Sequence, residues 1–152
     1  MPAEHEVIDA TVDDIEALAP VFDQYRVWYG MESDLNGSRH FLTQRLQNNE
    51  SVVFVAVVNN SVVAFTQLYP LFSSVSMESV WLLNDLFVSE PSRKQGIGTT
   101  LLETATQFGR EAGAIRMELA TGIENFAAQT LYKSRGWKKN ETFLHYSLPL
   151  GD

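Results

Sequence analysis

Two glycines and two cations stand together near the middle of the chain, in Arg93-Lys94-Gln95-Gly96-Ile97-Gly98-Thr99. They follow an apolar run, Leu82-Leu83-Asn84-Asp85-Leu86-Phe87-Val88, and open a stretch with helical spacing. Glycine lets a backbone turn tightly and approach a ligand with no Cβ in the way. The free N–H groups and the dipole at the start of a following helix favour an anion. Arg93 and Lys94 add positive charge to a chain whose net charge is −8. A pyrophosphate suits such a turn. Two better-known phosphate motifs do not fit. The dinucleotide fingerprint needs a third glycine where Leu101 stands. The nucleoside-triphosphate loop needs its lysine after the glycines, and Lys94 precedes them. On glycine spacing alone, a plain strand-to-helix turn fits equally well.

Other residues could do proton chemistry. Asp85 is the carboxylate on the strand before the turn, with Asn84 beside it, and alternation puts only one of the two on a given face. Glu78 and Glu118 are further candidate bases, acting through water, and a water chain alone is an equal alternative to Asp85. Tyr25, Trp28, Tyr29, Glu32 and Asp34 cluster in sequence, and Trp81 is a further aromatic on the motif strand. Aromatics with carboxylates can bind a cation. The same residues also read as ring packing against a sheet beside a solvated acidic loop. The chain has no cysteine, which excludes a disulfide framework, a thiolate metal site and an acyl-cysteine intermediate. His5, His40 and His145 are scattered without ligand spacing, so no metal is expected.

The elements that must position these groups follow from pattern. At 152 residues, with 45% apolar and 20% charged, the chain fits one domain with a sizeable core, and residues 1–152 read as that domain. Residues 6–10 read as a strand. A helix begins at Thr11, with Asp14 in a capping-box position, and Pro20 is expected to kink or restart it before Gly30. Ser38 is expected to cap a second helix. Residues 51–58 and 61–69 form a hairpin about Asn59–Asn60. A loop around 70–76 leads to a strand over 79–88, a helix over 98–112, a strand over 115–120, a short helix over 125–134 and a final strand or strand pair over 137–148. The fold class is α/β, with a mixed sheet. No segment approaches the roughly 18 apolar residues of a membrane span. Residues 1–10 hold three acidic and no basic residues, so no export signal is read there and a cytoplasmic protein is expected. The negative charge argues against a nucleic-acid partner.

Arg93-x-x-Gly96-x-Gly98, after an apolar strand and before an amphipathic helix, resembles the acetyl-CoA signature of the GNAT superfamily of N-acetyltransferases. Asn125-Phe126-Ala127-Ala128-Gln129-Thr130-Leu131-Tyr132, followed by Gly136-Trp137, resembles that family's second motif. The two motifs stand at the separation the family uses. Asn84-Asp85-Leu86-Phe87-Val88 is also similar to the motif strand of spermidine/spermine acetyltransferases and of the fungal histone- and polyamine-acetylating enzymes, except that Asn84 stands where those carry glutamate.

The resemblance implies a GNAT-like fold, a mostly antiparallel sheet flanked by about four helices, and acetyl transfer from acetyl-CoA to an amine. It implies that the backbone of Leu86, Phe87 and Val88 pairs with the pantetheine arm. The turn Arg93, Lys94, Gln95, Gly96, Ile97, Gly98 and Thr99 would hold the pyrophosphate, and Asn125 would contact the arm. Tyr132 takes the position of the acid that protonates the departing thiolate, the alternative being a core aromatic. Tyr25, Trp28, Tyr29, Glu32 and Trp81 are the candidate acceptor contacts, between the first two helices and the sheet. The resemblance also implies a homodimer. A small-molecule amine is the preferred acceptor. Protein acetylation and non-catalytic acyl-CoA binding are the rival readings.

Overall fold

A computed structural model describes residues 4–151. The chain divides after Ala120 into two compact units. The first carries a five-stranded sheet in the order β1-β2-β3-β4-β5: β1 Glu6–Asp9, β2 Val52–Val58, β3 Ser61–Ser73, β4 Glu78–Val88 and β5 Arg116–Glu118. The first four strands are antiparallel to their neighbours, and β5 joins β4 in parallel. Three helices belong to this unit: α1 Ile15–Trp28, α2 Leu35–Gln47 and α3 Ile97–Glu111. The second unit contains α4, Phe126–Ser134. The α/β class and the mixed, mostly antiparallel sheet are as expected.

Alternation along the strands sorts side chains between two faces. Val53, Val55, Phe65 and Phe87 meet Ile15, Leu18, Ala19 and Phe22 of α1 and Leu42 of α2 in the main core. Phe54, between Val53 and Val55, turns to the other face, where its ring meets Phe108 of α3 at 5.8 Å. On α3, Ile97, Leu101, Leu102 and Ala105 recur at helical spacing and are buried, and the helix packs on β2, β3 and β4.

Local signals set several boundaries. The Thr11 amide donates to Asp14 Oδ2 at 2.8 Å, and Thr11 Oγ1 accepts from the Asp13 amide. This capping box starts a 3-10 turn over Val12–Asp14, from which α1 continues. Asn59 and Asn60 both adopt positive φ, the conformation a two-residue hairpin needs.

Four expectations change. Pro20 lies inside an unbroken α1, where it lacks one early hydrogen bond while buried Leu18, Ala19, Val21 and Phe22 hold the helix against the sheet. Asp34, not Ser38, caps α2, accepting from the Gly37 amide at 2.8 Å; it lies four residues earlier, so the helix has begun by the time Ser38 is reached. The loop around 70–76 shrinks to a turn, because β3 continues through Pro70 to Ser73 opposite β4. Pro70 is tolerated there because β2 stops pairing at Leu68, leaving that side of β3 an edge. The final strand over 137–148 is not formed among the described residues. Alternating Leu144, Tyr146 and Leu148 supply an apolar face, but a strand also needs a neighbour to take its N–H and C=O groups, which local pattern cannot provide. Among the described residues, no helix is long and apolar enough to cross a membrane.

Candidate active site

The far half of β4 carries an open edge. Strand β5 pairs with β4 only at Val80, Trp81 and Leu82. From Leu83 to Val88, β4 is laddered to β3 alone. Main-chain groups on the other side of Leu86, Phe87 and Val88 therefore have no strand partner among the described residues. Arg93 folds back on the end of this strand. Its Nε donates to the Val88 carbonyl at 2.8 Å, and its guanidinium lies 5.5 Å from the centre of the Phe87 ring.

The turn after β4 is built from positive-φ residues. A 3-10 turn at Glu90–Ser92 leads to Lys94 at φ 64° and Gly96 at φ 81°. Such alternation makes successive N–H groups converge into an anion-binding concavity. Gly96 precedes α3, and no side chain caps the helix there. The first bond into the helix runs from the Thr100 amide to the Gly96 carbonyl, so the amides of Ile97, Gly98 and Thr99 have no partner within it. Nothing lies within 4 Å of where a Gly96 Cβ would stand. The requirement for glycine is therefore conformational, not one of space within the chain. These donors and this dipole fit a diphosphate.

Behind β4, on the α1 face, lies a buried polar chain. Asp85 is 6% exposed and Gln67, opposite it on β3, is fully buried. Gln67 Nε2 donates to Asp85 Oδ2 at 2.9 Å, and Asn84 Nδ2 donates to Asp85 Oδ1 at 3.0 Å. Ser51 Oγ donates to Gln67 Oε1 at 2.8 Å. On the other face, the Thr66 hydroxyl holds the Asp85 carbonyl at 2.8 Å. The Tyr25 phenol reaches the same carboxylate from α1. Burial first, then the charge of Asp85 and the hydrogen bond to it, pushes that phenol far above its ordinary value. Tyr69 is pushed up to about 12, by burial and then by the Asp85 charge, against a smaller opposing effect of Arg45. Among the described residues, the groups bonded to Asp85 are the neutral Gln67, Asn84 and Tyr25. The ion pairs among the described residues join Arg26 to Asp23, Arg39 to Glu16, Arg45 to Glu50 and Arg116 to Glu118, and none reaches Asp85. A buried carboxylate without a counter-charge is costly unless a cationic ligand completes it.

The aromatic cluster divides. Tyr25 packs against Phe65 and Phe87, and Tyr29 meets Tyr25 edge-on at 5.1 Å. Trp28 extends the row to the surface, 4.9 Å from Tyr29, and both are more than half exposed. Glu32 lies in the exposed loop after α1, where its carbonyl accepts from Arg26 Nη1. That loop is tied down by Asp23, which accepts from Ser33 Oγ at 2.6 Å and the Asp34 amide at 2.7 Å. These bonds hold the Asp23 carboxyl below the usual range. Trp81 stands apart from this group. Its ring meets Phe108 of α3 at 4.9 Å, on the opposite face. Gln67 pairs with Asp85 and Leu68 with Leu83, so Asn84 is the extra residue of a β-bulge. One inserted residue reverses the alternation, and Trp81, four positions from Asp85, faces away from it. Of the other candidate bases, Glu118 pairs with Arg116 at 3.2 Å and Glu78 is exposed at the start of β4.

Within the second unit, Asn125 caps α4, its Oδ1 accepting from the Ala128 amide at 3.2 Å. Tyr132 lies in the last turn of α4, its ring 6.1 Å from that of Trp137. The Tyr132 carbonyl accepts from the Arg135 and Trp137 amides, and Gly136 takes φ 90° to close the helix. Among the described residues, no group of three or more His, Asp or Glu side chains is arranged to hold a metal.

A model of the Acetyltransferase (GNAT) family matches residues 17–137. The chain belongs to this family. It is 44% identical over 139 residues to the uncharacterized N-acetyltransferase YhfO of Bacillus subtilis, covering 91% of this chain and 93% of that one. The crystal structure of a probable acetyltransferase superposes with a TM-score of 0.91 at 41% identity, covering 97% of this chain and 99% of the other. A predicted acetyltransferase from Clostridium acetobutylicum, solved with acetyl-CoA, shares the fold at a TM-score of 0.77 and 17% identity, covering 95% and 96%. The protein is thus an acetyltransferase of the GNAT fold, and the family expectation drawn from the two motifs holds. Sequence reasoning missed Gln67, Ser51 and Tyr69 in this acetyltransferase. The available signal was the polar pair Thr66-Gln67 inside an otherwise apolar strand.

Proposed function

We propose that this acetyltransferase moves the acetyl group of acetyl-CoA to the primary amine of a small molecule, by direct attack in a ternary complex. The observation that carries the reading is Asp85, a buried carboxylate bonded, among the described residues, to neutral donors alone, behind an open strand edge and beside a turn whose amides suit an anion. An ammonium group supplies the missing counter-charge. In this reading the main chain of Leu86, Phe87 and Val88 aligns the pantetheine arm. The turn from Arg93 to Thr99 holds the diphosphate, and Asn125 contacts the arm. A backbone N–H near Phe87 polarises the thioester carbonyl.

Asp85 takes the proton of the incoming ammonium, directly or through water. The neutral amine then forms the C–N bond as the C–S bond breaks. The Tyr132 hydroxyl protonates the leaving thiolate, a role supported by its place in the second motif. The second amine proton, lost as the amide forms, passes through water to the Tyr132 phenolate, and Asp85 releases its proton to solvent. Tyr25 and Tyr29 wall the acceptor site, with Trp28 and Glu32 at its outer rim. The similarity of Asn84–Val88 to polyamine-acetylating enzymes makes di- and polyamines the first acceptors to try. Asn84, bonded to Asp85, is where a different preference would arise. Residues 1–152 act as one catalytic domain, in a homodimer located in the cytoplasm.

Thiol release from acetyl-CoA, measured over polyamines, aminoglycosides, amino acids and lysine peptides, tests the reading. Turnover is expected with a small amine and not with peptides. Turnover with peptides alone would overturn the small-molecule assignment, and CoA binding without thiol release from any acceptor would overturn catalysis.

A further inference from the structure

Gln67 is fully buried in the middle of an apolar strand, a costly place for a carboxamide unless both its ends are bonded. Both ends are. The direction of the chain is fixed by chemistry. An ionised Asp85 only accepts, so the Gln67 NH2 group must face it, and Gln67 Oε1 must face Ser51. Ser51, itself 8% exposed, is thereby obliged to donate. Asn84 anchors the second carboxylate oxygen from the bulge.

We propose that Gln67, locked by Ser51, is a positioning residue that holds the Asp85 carboxylate in the orientation from which it takes the acceptor's proton. This inference rests on the reading of Asp85 as the base. Gln67 sits across the β3–β4 ladder from Asp85, at the point where the bulge turns the carboxylate toward α1. With Oδ2 bound by Gln67 and Oδ1 by Asn84, the carboxylate cannot rotate, and its remaining lone pairs keep a constant direction. The titratable groups that face it are the Tyr25 phenol, bonded to it from α1 with Tyr29 beside that ring, and Tyr69 on β3, whose other charged neighbour is Arg45 of α2. The arrangement accounts for a buried amide that main-core packing does not require.

Steady-state kinetics across pH, with the best acceptor from the amine screen, test the proposal on four variants. Asp85→Asn tests the underlying reading: full kcat at every pH would remove Asp85 as base. Gln67→Leu is expected to lower kcat about 10²-fold, the usual effect of a misplaced reacting group, while the KM for acetyl-CoA stays unchanged. Gln67→Glu sets a second carboxylate against Asp85, so the acid limb of kcat/KM should move to higher pH as the two share a proton. Ser51→Ala should lower kcat roughly 3–10-fold by releasing the amide, and it keeps the test open if the Gln67 variants do not fold. Calorimetric CoA binding and thermal melting establish which variants are folded. If Asp85→Asn loses activity while the folded Gln67 and Ser51 variants keep wild-type kcat and pH profile, the base stands and the positioning role is wrong.

Discussion

The two sides of β4 solve opposite electrostatic problems. At the turn toward α3, the available polar groups are main-chain amides at a helix start, set by the positive φ of Lys94 and Gly96. On the α1 side they are side chains: a buried carboxylate, a buried amide and a phenol, each held by another. Backbone donors recognise a diphosphate whatever side chains surround them, so the first site is generic and readable as a short motif. The second depends on which residues two strands and a helix bring together. Under the proposed function, a family can keep the first while changing its acceptor through the second.

The two sides should fail differently when altered. The largest effect is expected on chemistry. Tyr132→Phe keeps its ring and should keep CoA affinity, while kcat falls about 10²–10⁴-fold, toward the lower end because a thiol leaves readily. The loss should fall on kcat more than on the amine's KM. A variant with full kcat at every pH would make Tyr132 a packing residue. The next effect is on binding. Gly96→Val places a β-branched residue at φ 81°, where strain of about 1–3 kcal/mol is expected. If that strain is relieved by opening the turn, CoA affinity measured by calorimetry should fall about 10-fold, with kcat at saturation nearly unchanged. Unchanged affinity in a folded variant would detach the diphosphate from this turn.

The smallest effect lies in the loop between α1 and α2. Asp23→Asn weakens the bonds to Ser33 and Asp34 and should cost about 1–2 kcal/mol in urea unfolding near neutral pH. The sign of its pH dependence follows from a carboxyl held below its ordinary value. Its contribution is complete above the unfolded value of about 3.9 and is lost as pH falls through the lower folded value. The gap between wild type and variant should therefore close in strong acid. A gap that is constant down to about pH 2 would assign the loss to packing instead.

What this sequence determined by itself was local. Thr11 and Asp14 make a cap, Asn59 and Asn60 a tight turn, and Gly96 a left-handed residue at a helix start, because each depends on neighbours a few residues away. The glycine turn and the Asn125–Tyr132 motif were legible for the same reason, and so was the family. Tertiary structure decided what alternation could not. The bulge at Asn84 exists only because β3 and β4 pair with one residue to spare, and it sends Asp85 toward α1 and Trp81 toward α3. Gln67 reaches Asp85 because the β3–β4 ladder sets it opposite, 18 positions away in sequence, and Ser51, just before β2, joins through Gln67, 16 positions from it. Residues 137–148 carry a strand-like pattern yet form no strand among the described residues. A side chain carries its own polarity, but strand partners, register and facing direction belong to pairs of segments, and those pairs exist only once the chain has folded.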